Sequence, residues 1–170
     1  MRRVPWLTAL LVLLLDRVTK QLILHRLPEG SLVPLFPGLA ISHVHNRGIA
    51  FSLFASGGPL SRVLLHLVIV GAVVLIAWML VRQGHRGTLA GVGFGLILGG
   101  AVGNLVDRVV FGWVVDFIHA WARIGDRLLT WPDFNLADSA ISVGAACLIL
   151  HEIRAHRSGS AEAEDASGTD

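Results

Sequence analysis

From Val63 to Val81 the chain is a single apolar run whose one ionisable residue is His66. That is about the 20 residues a helix needs to cross a bilayer core. Three further runs share the pattern less cleanly: Val4 to Leu24, Leu89 to about Val110, and Leu136 to Ile153. The pattern predicts an all-α membrane protein, a four-transmembrane-helix bundle. Its spans fall at about 5–24, 62–81, 89–110 and 136–153 within one domain, 1–157, with outer loops at 25–61 and 111–135. In the third run Gly91, Gly95, Gly99 and Gly103 recur every four residues, a bare helical stripe suited to close helix packing.

The connections read differently. Leu27 to Pro59 carries Pro28, Gly30, Pro34, Pro37, Gly38, Gly57 and Gly58, which excludes a continuous helix. Within it, Leu39 to Phe54 predicts a small extramembrane β element, with Ile41, His43 and His45 on one face of an extended chain. Phe111 to Phe134 mixes apolar residues with Arg123, Asp126, Arg127 and Asp133 and reads as a segment resting on the membrane surface, its central charges solvated. Ser158 to Asp170 is small and acidic with no large apolar side chain, and a disordered tail is expected there.

Composition agrees with the membrane reading. Hydrophobic residues make up 54% and charged ones 15%, where soluble domains have about 45–50% and about 25%. The net charge of +2 is spread over dispersed basic residues, so no stripe offers itself to a nucleic acid backbone. Cys147 stands alone and forms no intrachain disulfide. Arg2 and Arg3 ahead of Trp6 to Leu15 imitate a secretory signal, but Asp16, Arg17, Thr19 and Lys20 follow where a small-residue cleavage site would lie. The first run is therefore expected to stay as a span. Arginine counts on the two sides tie, and the short Arg82 to Gly87 loop with the Arg-Arg start favours cytoplasmic termini. Trp6 and Trp78 then fall near one membrane face, and Trp113, Trp121 and Trp131 near the other.

Against this background the polar residues stand out. Ionisable groups within spans are costly and mark candidate sites. Asp16 and Lys20 are four apart and pair on one helical face; Asn104, Asp107 and Arg108 cluster on another, although neighbours such as Asp107 and Arg108 cannot face each other. The third helix runs outward and the fourth inward, so Asp107, Asp116, Asn135 and Asp138 share one level at the outer interface. Asp116 lies in Val114-Val115-Asp116-Phe117, surroundings that raise a carboxyl pKa on burial. Two carboxylates sharing a proton can hydrolyse an amide: the ionised one activates water and the protonated one donates to the carbonyl oxygen. Whether Asp107 or Asp116 partners Asp138 stays open at this point.

Other chemistries fit less well. The chain has no Gly-x-Ser-x-Gly elbow and no His-Glu-x-x-His. His43 and His45 lack an evident third metal ligand, so neither metal nor cofactor is expected. A small transporter or channel is the rival, with Asp16, Asp107 and Asp138 as a relay. Relay groups should step through the membrane, yet all but Asp16 gather at one face. A purely structural bundle explains Asp16 with Lys20 and leaves Asp107, Asp116 and Asp138 uncompensated.

Five motifs occur in order: Asp16-Arg17-Val18-Thr19-Lys20; Asn46-Arg47-Gly48-Ile49-Ala50-Phe51; Gly99 through Asn104-Leu105-Val106-Asp107-Arg108; Val115-Asp116-Phe117; and Phe134-Asn135-Leu136-Ala137-Asp138. In these the chain resembles the bacterial lipoprotein signal peptidases (signal peptidase II), over nearly all its length to about Ile153. It departs at Arg17, where that family often has glutamine, and in a slightly longer stretch from Ile118 to Asp133. The resemblance implies a multi-pass aspartic endopeptidase of the inner membrane, its termini cytoplasmic and its site at the periplasmic face. The implied substrate is a diacylglyceryl-prolipoprotein cut before the lipidated cysteine. Membrane lipid is the other partner, nucleic acid is not one, no cofactor is needed and a monomer is expected. The resemblance makes Asp116 and Asp138 the catalytic pair, supported by Asp16, Lys20, Asn46, Gly48, Asn104, Asp107, Arg108 and Asn135. The Asn46 loop is expected to cover the site. Small residues such as Ala137, Ser139, Ala140 and Ser142, with the glycines of the third span, are expected to open a groove for acyl chains.

Overall fold

The computed structural model describes residues 3–48, 59–83 and 88–167. Four helices lie over the four apolar runs: α1 (Val4–Arg26), α2 (Pro59–Gln83), α3 (Thr88–Phe111) and α4 (Leu136–Ser167). Two stretches, Thr88–Phe111 in α3 and Leu136–Arg157 in α4, are long and apolar enough to cross a membrane, and Leu67–Arg82 in α2 is a shorter apolar stretch. α1 carries Asp16, Arg17 and Lys20 inside its length.

Helix α3 is the centre of the bundle because its glycines let two neighbours approach at once. A methyl group at Gly99 would lie 2.5 Å from the Ala9 carbonyl oxygen, and Gly95 lies against Pro5 and Thr8, so the predicted stripe packs on α1. On the other side Gly93 meets the Gly144 carbonyl and Gly100 meets that of Ala137. Ala137 therefore closes a helix seam, where a groove is expected from the sequence. A small apolar core of Ala9, Leu80, Phe94 and Leu98 fills the bundle. The large apolar side chains turn outward instead: Leu7, Leu11 and Val18 on α1, Leu67, Val68 and Val74 on α2, Val143 and Ile149 on α4. Small residues inside and large ones outside suit a lipid solvent, since water would penalise so wide an apolar surface.

α4 continues as helix to Ser167, through a segment expected to be disordered. Ala161-Glu162-Ala163-Glu164 are strong helix formers, and local propensity favours the helix there.

A four-stranded antiparallel sheet in the order β1-β2-β3-β4 caps the bundle, built from β1 (Leu32–Phe36), β2 (Leu39–Asn46), β3 (Val114–Ile124) and β4 (Arg127–Thr130). The expected β element thus exists, but half its strands come from the second outer segment, which the sequence suggested lay on the membrane surface. Val114, Val115, Phe117 and Ile118 are strong strand formers once β2 offers them an edge. A bulge on β2 lies between the pairs Ile41↔Ile118 and Val44↔Asp116. The extra residue puts Ile41 and His45 on opposite faces, not on one face as the alternation predicts. α3 ends at Gly112, whose φ of 80° is the left-handed cap that turns the chain into β3, its N–H donating to the Arg108 carbonyl at 3.0 Å. Trp6, Trp78 and Trp131 are exposed, whereas Trp113 stacks on the His45 ring at 3.4 Å.

Candidate active site

The N-terminus of α4 builds the first half of the site. Asn135 precedes the helix, and its Oδ1 accepts the Asp138 N–H at 3.0 Å, while Asp138 Oδ2 accepts the Asn135 N–H at 3.2 Å. This reciprocal pair is a capping box with Asp in the third helical position. It fixes the Asp138 carboxylate with its other oxygen, Oδ1, turned to Asn104 Nδ2 at 2.8 Å.

The second half comes from β3. Asp116 is 2% exposed, and its two oxygens each accept from an asparagine: Oδ1 from Asn135 Nδ2 at 2.7 Å and Oδ2 from Asn46 Nδ2 at 2.8 Å. Asn135 therefore touches both carboxylates, one through its side chain and one through its main chain. Burial pushes the Asp116 carboxyl up from 3.8 to about 7; the Asn46 donor opposes this, the charge of Asp138 adds to it, and Asn135 and Lys20 again oppose. The asparagines thus hold the anion in place without cancelling its desolvation.

Behind the carboxylates lies a buried ionic knot. Lys20 Nζ, with no exposure, contacts Asp16 Oδ2 at 2.8 Å, Asp107 Oδ2 at 2.9 Å and Asn104 Oδ1 at 2.9 Å. Asp16 Oδ1 accepts the Ala137 N–H at 3.1 Å, tying α1 to the first turn of α4. Gly103 is required here, since a methyl group on it would lie 2.6 Å from Asp16 Oδ2. Asp107 Oδ2 also accepts the Val115 N–H at 3.3 Å, one residue before Asp116. Asp107, uncompensated on the structural reading of the sequence, is thus paired: Lys20 holds one oxygen and Arg17 Nη2 lies 2.6 Å from the other.

Arg108 donates to the carbonyls of Asn104 at 3.3 Å and Gly48 at 3.1 Å. Gly48 N–H in turn donates to Asn46 Oδ1 at 3.0 Å, so the asparagine facing Asp116 is held in a turn. The remainder of that motif, Ile49 to Phe51, and the cover expected of it lie outside the described residues.

Every site residue predicted from the sequence joins this one cluster. Four others escaped that reading. Arg17 has no partner at helical spacing that would mark it as part of the site. Asp133, to which the sequence assigns no role, accepts on Oδ1 from Ser42 Oγ at 2.7 Å and lies 3.0 Å from His119 Nδ1. With the Ile118↔Phe134 bridge it moors the approach to α4 on the sheet, and so sets Asp138 against Asp116. Ser42, Asp133 and His119 are too far apart in sequence for spacing to relate them. His43 and His45 meet each other at 3.1 Å, and their remaining ring nitrogens face the Leu27 carbonyl and Glu29.

The chain matches the family described as signal peptidase (SPase) II over residues 8–154. It is 42% identical over 163 residues to a lipoprotein signal peptidase of Gloeobacter violaceus, covering 95% of this chain and 88% of the relative. It is 40% identical over 155 residues to one of Burkholderia mallei, covering 88% of each. Two solved structures described as bacterial membrane enzymes superpose with TM-scores of 0.73, at 28% and 27% identity. They cover 88% and 86% of this chain, and 87% and 90% of theirs. A match spanning the bundle, the sheet and all the carboxylates of the cluster places this chain in the signal peptidase II family.

Proposed function

We propose that the protein removes signal peptides from diacylglyceryl-modified prolipoproteins, cutting before the lipidated cysteine with Asp116 and Asp138 as its catalytic pair. The observation that carries this reading is Asn135, which donates to Asp116 from its side chain and to Asp138 from its main chain. One carboxylate is ionised and takes a proton from water as the oxygen attacks the amide carbonyl carbon. The other is protonated and donates to the carbonyl oxygen, giving a tetrahedral intermediate. A proton then passes to the amide nitrogen, the C–N bond breaks, and the signal peptide leaves with a new carboxyl group while the lipidated cysteine keeps the amine. Asp116, raised to about 7, is the member that holds the shared proton near neutral pH. Asn46, Asn104 and Asn135 orient the pair. Asp16, Lys20 and Asp107 brace the helices behind it, and Arg108 braces the Gly48 turn.

In this reading all four helices span the inner membrane, with cytoplasmic termini and the sheet at the periplasmic surface. A substrate held in the bilayer by two acyl chains then brings its scissile amide to the level of the carboxylates.

Asp116→Asn and Asp138→Asn preserve size and remove the acid and base. Each is expected to lower signal-peptide release from a diacylglyceryl prolipoprotein by about a hundredfold or more. Release at the parent rate by either variant would remove that residue from the mechanism. Equal cleavage of lipidated and unlipidated substrate would refute the lipid requirement.

A further inference from the structure

We infer that Arg17 is a positioning residue for this reaction: by balancing the charge of Asp107, it lets Asp107 hold the β3 main chain one residue before Asp116. The inference rests on the proposed function for its kinetic consequence, but its geometry is independent of it. Asp16 and Asp107 are fully buried and share one ammonium group, Lys20. Two carboxylates against one cation leave a net negative charge in a low-dielectric site, an arrangement that is costly without a second cation. Arg17 supplies it from the rim of the bundle, 22% exposed, with Nη2 at 2.6 Å from Asp107 Oδ1.

The contact is ionic in character. Arg17 Nε and Nη2 and Asp107 Oδ1 are buried without an aligned hydrogen-bond partner, so what Arg17 contributes is charge. With Oδ1 facing that charge, Asp107 Oδ2 is left to Lys20 and to the Val115 amide. Val115 pairs with His45 on β2, the residue before Asn46, so the Asn46 donor to Asp116 depends on where that amide sits.

The test compares the parent with Arg17→Gln, Arg17→Lys, Asp107→Asn and the double variant Arg17→Gln/Asp107→Asn, all purified in the same detergent. For each, kcat and KM for a diacylglyceryl prolipoprotein are measured beside thermal unfolding. Arg17→Gln is expected to lower kcat about tenfold with KM unchanged, equivalent to about 1.4 kcal/mol, and Arg17→Lys to recover most of it. The double variant, in which the charge balance is restored, should be no worse than Asp107→Asn alone. Parent kcat in Arg17→Gln, a loss confined to KM, or additive losses in the double variant would each overturn the inference. If Arg17→Gln does not fold, Arg17→Lys carries the kinetic test, and failure of Lys to retain kcat refutes a role based on charge. An inactive parent would refute the proposed function alone; the unfolding cycle would still decide the ion pair, and zero coupling there would refute it.

Discussion

Two carboxylate pairs, one fully buried and one with Asp116 buried and Asp138 partly so, lie side by side in this protein and are treated in opposite ways. Asp16 and Asp107 face cations, Lys20 between them and Arg17 at the outer side. Asp116 and Asp138 face neutral amides, from Asn46, Asn104 and Asn135. Among the described residues no cation contacts either member of the second pair; Arg108 acts on it only at longer range. Charge that is cancelled in place builds a joint between helices. Charge that is oriented but left uncancelled keeps a proton within reach of neutral pH, which is what general acid–base work requires. Asn104 links the two regions, its oxygen receiving Lys20 and its amide donating to Asp138.

The sharpest way to break this contrast is to remove the hub. Lys20→Met should cost about 3–5 kcal/mol, the usual penalty for stripping a buried ion pair of one partner. It would be read as a large drop in the detergent-phase unfolding temperature, and activity would fall with it. A small drop would mean that the first pair is not held by charge.

Asn135→Ala attacks the second region. It deletes a helix cap, at about 1 kcal/mol, and a hydrogen bond to the Asp116 carboxylate, at roughly 1.5–3 kcal/mol. That bond favours the charged form, so its loss should also move the alkaline limb of the pH–rate profile upward. An unmoved limb would dissociate Asn135 from the proton on Asp116.

The smallest effect concerns pH and stability. The Asp116 pKa lies at about 7 in the folded protein, above its ordinary 3.8, so the bound proton stabilises the fold. That stabilisation is complete below about 4 and is lost as pH rises through about 7. Asp116→Asn removes the buried charge, though its amide meets the Asn46 or Asn135 donor unfavourably. The variant should therefore gain roughly 2–3 kcal/mol on the parent at pH 8 relative to the difference at pH 5, since the amide contact does not change with pH. Parallel unfolding curves at both pH values would contradict a raised Asp116. In the parent, activity should decline above about pH 7 as the acid is lost.

The legible parts of the site are those that local geometry relates. Asp16 with Lys20 follows from a spacing of four, and Asn135 with Asp138 from a spacing of three at a helix start. The resemblance supplied Asp116 as partner to Asp138, since spacing alone did not separate it from Asp107. Other features could not be read from spacing. Arg17 reaches Asp107, and Ser42 reaches Asp133 over 91 residues. The bulge that separates Ile41 from His45 arises in a pairing with β3.

By itself the amino-acid order determined where the helices run, which segment packs through glycine, and that several acidic groups meet near one end of the bundle. These follow from periodicity and from the cost of charge in an apolar span, and both act over a few residues. Only the tertiary structure decided which carboxylates receive cations and which receive amides. That choice depends on donors carried by other helices and strands, 84 residues away for Lys20 and Asn104 and 121 for Asp16 and Ala137. Electrostatic character in a buried site is set by the nearest few ångströms of space, and chain order alone does not fix those neighbours.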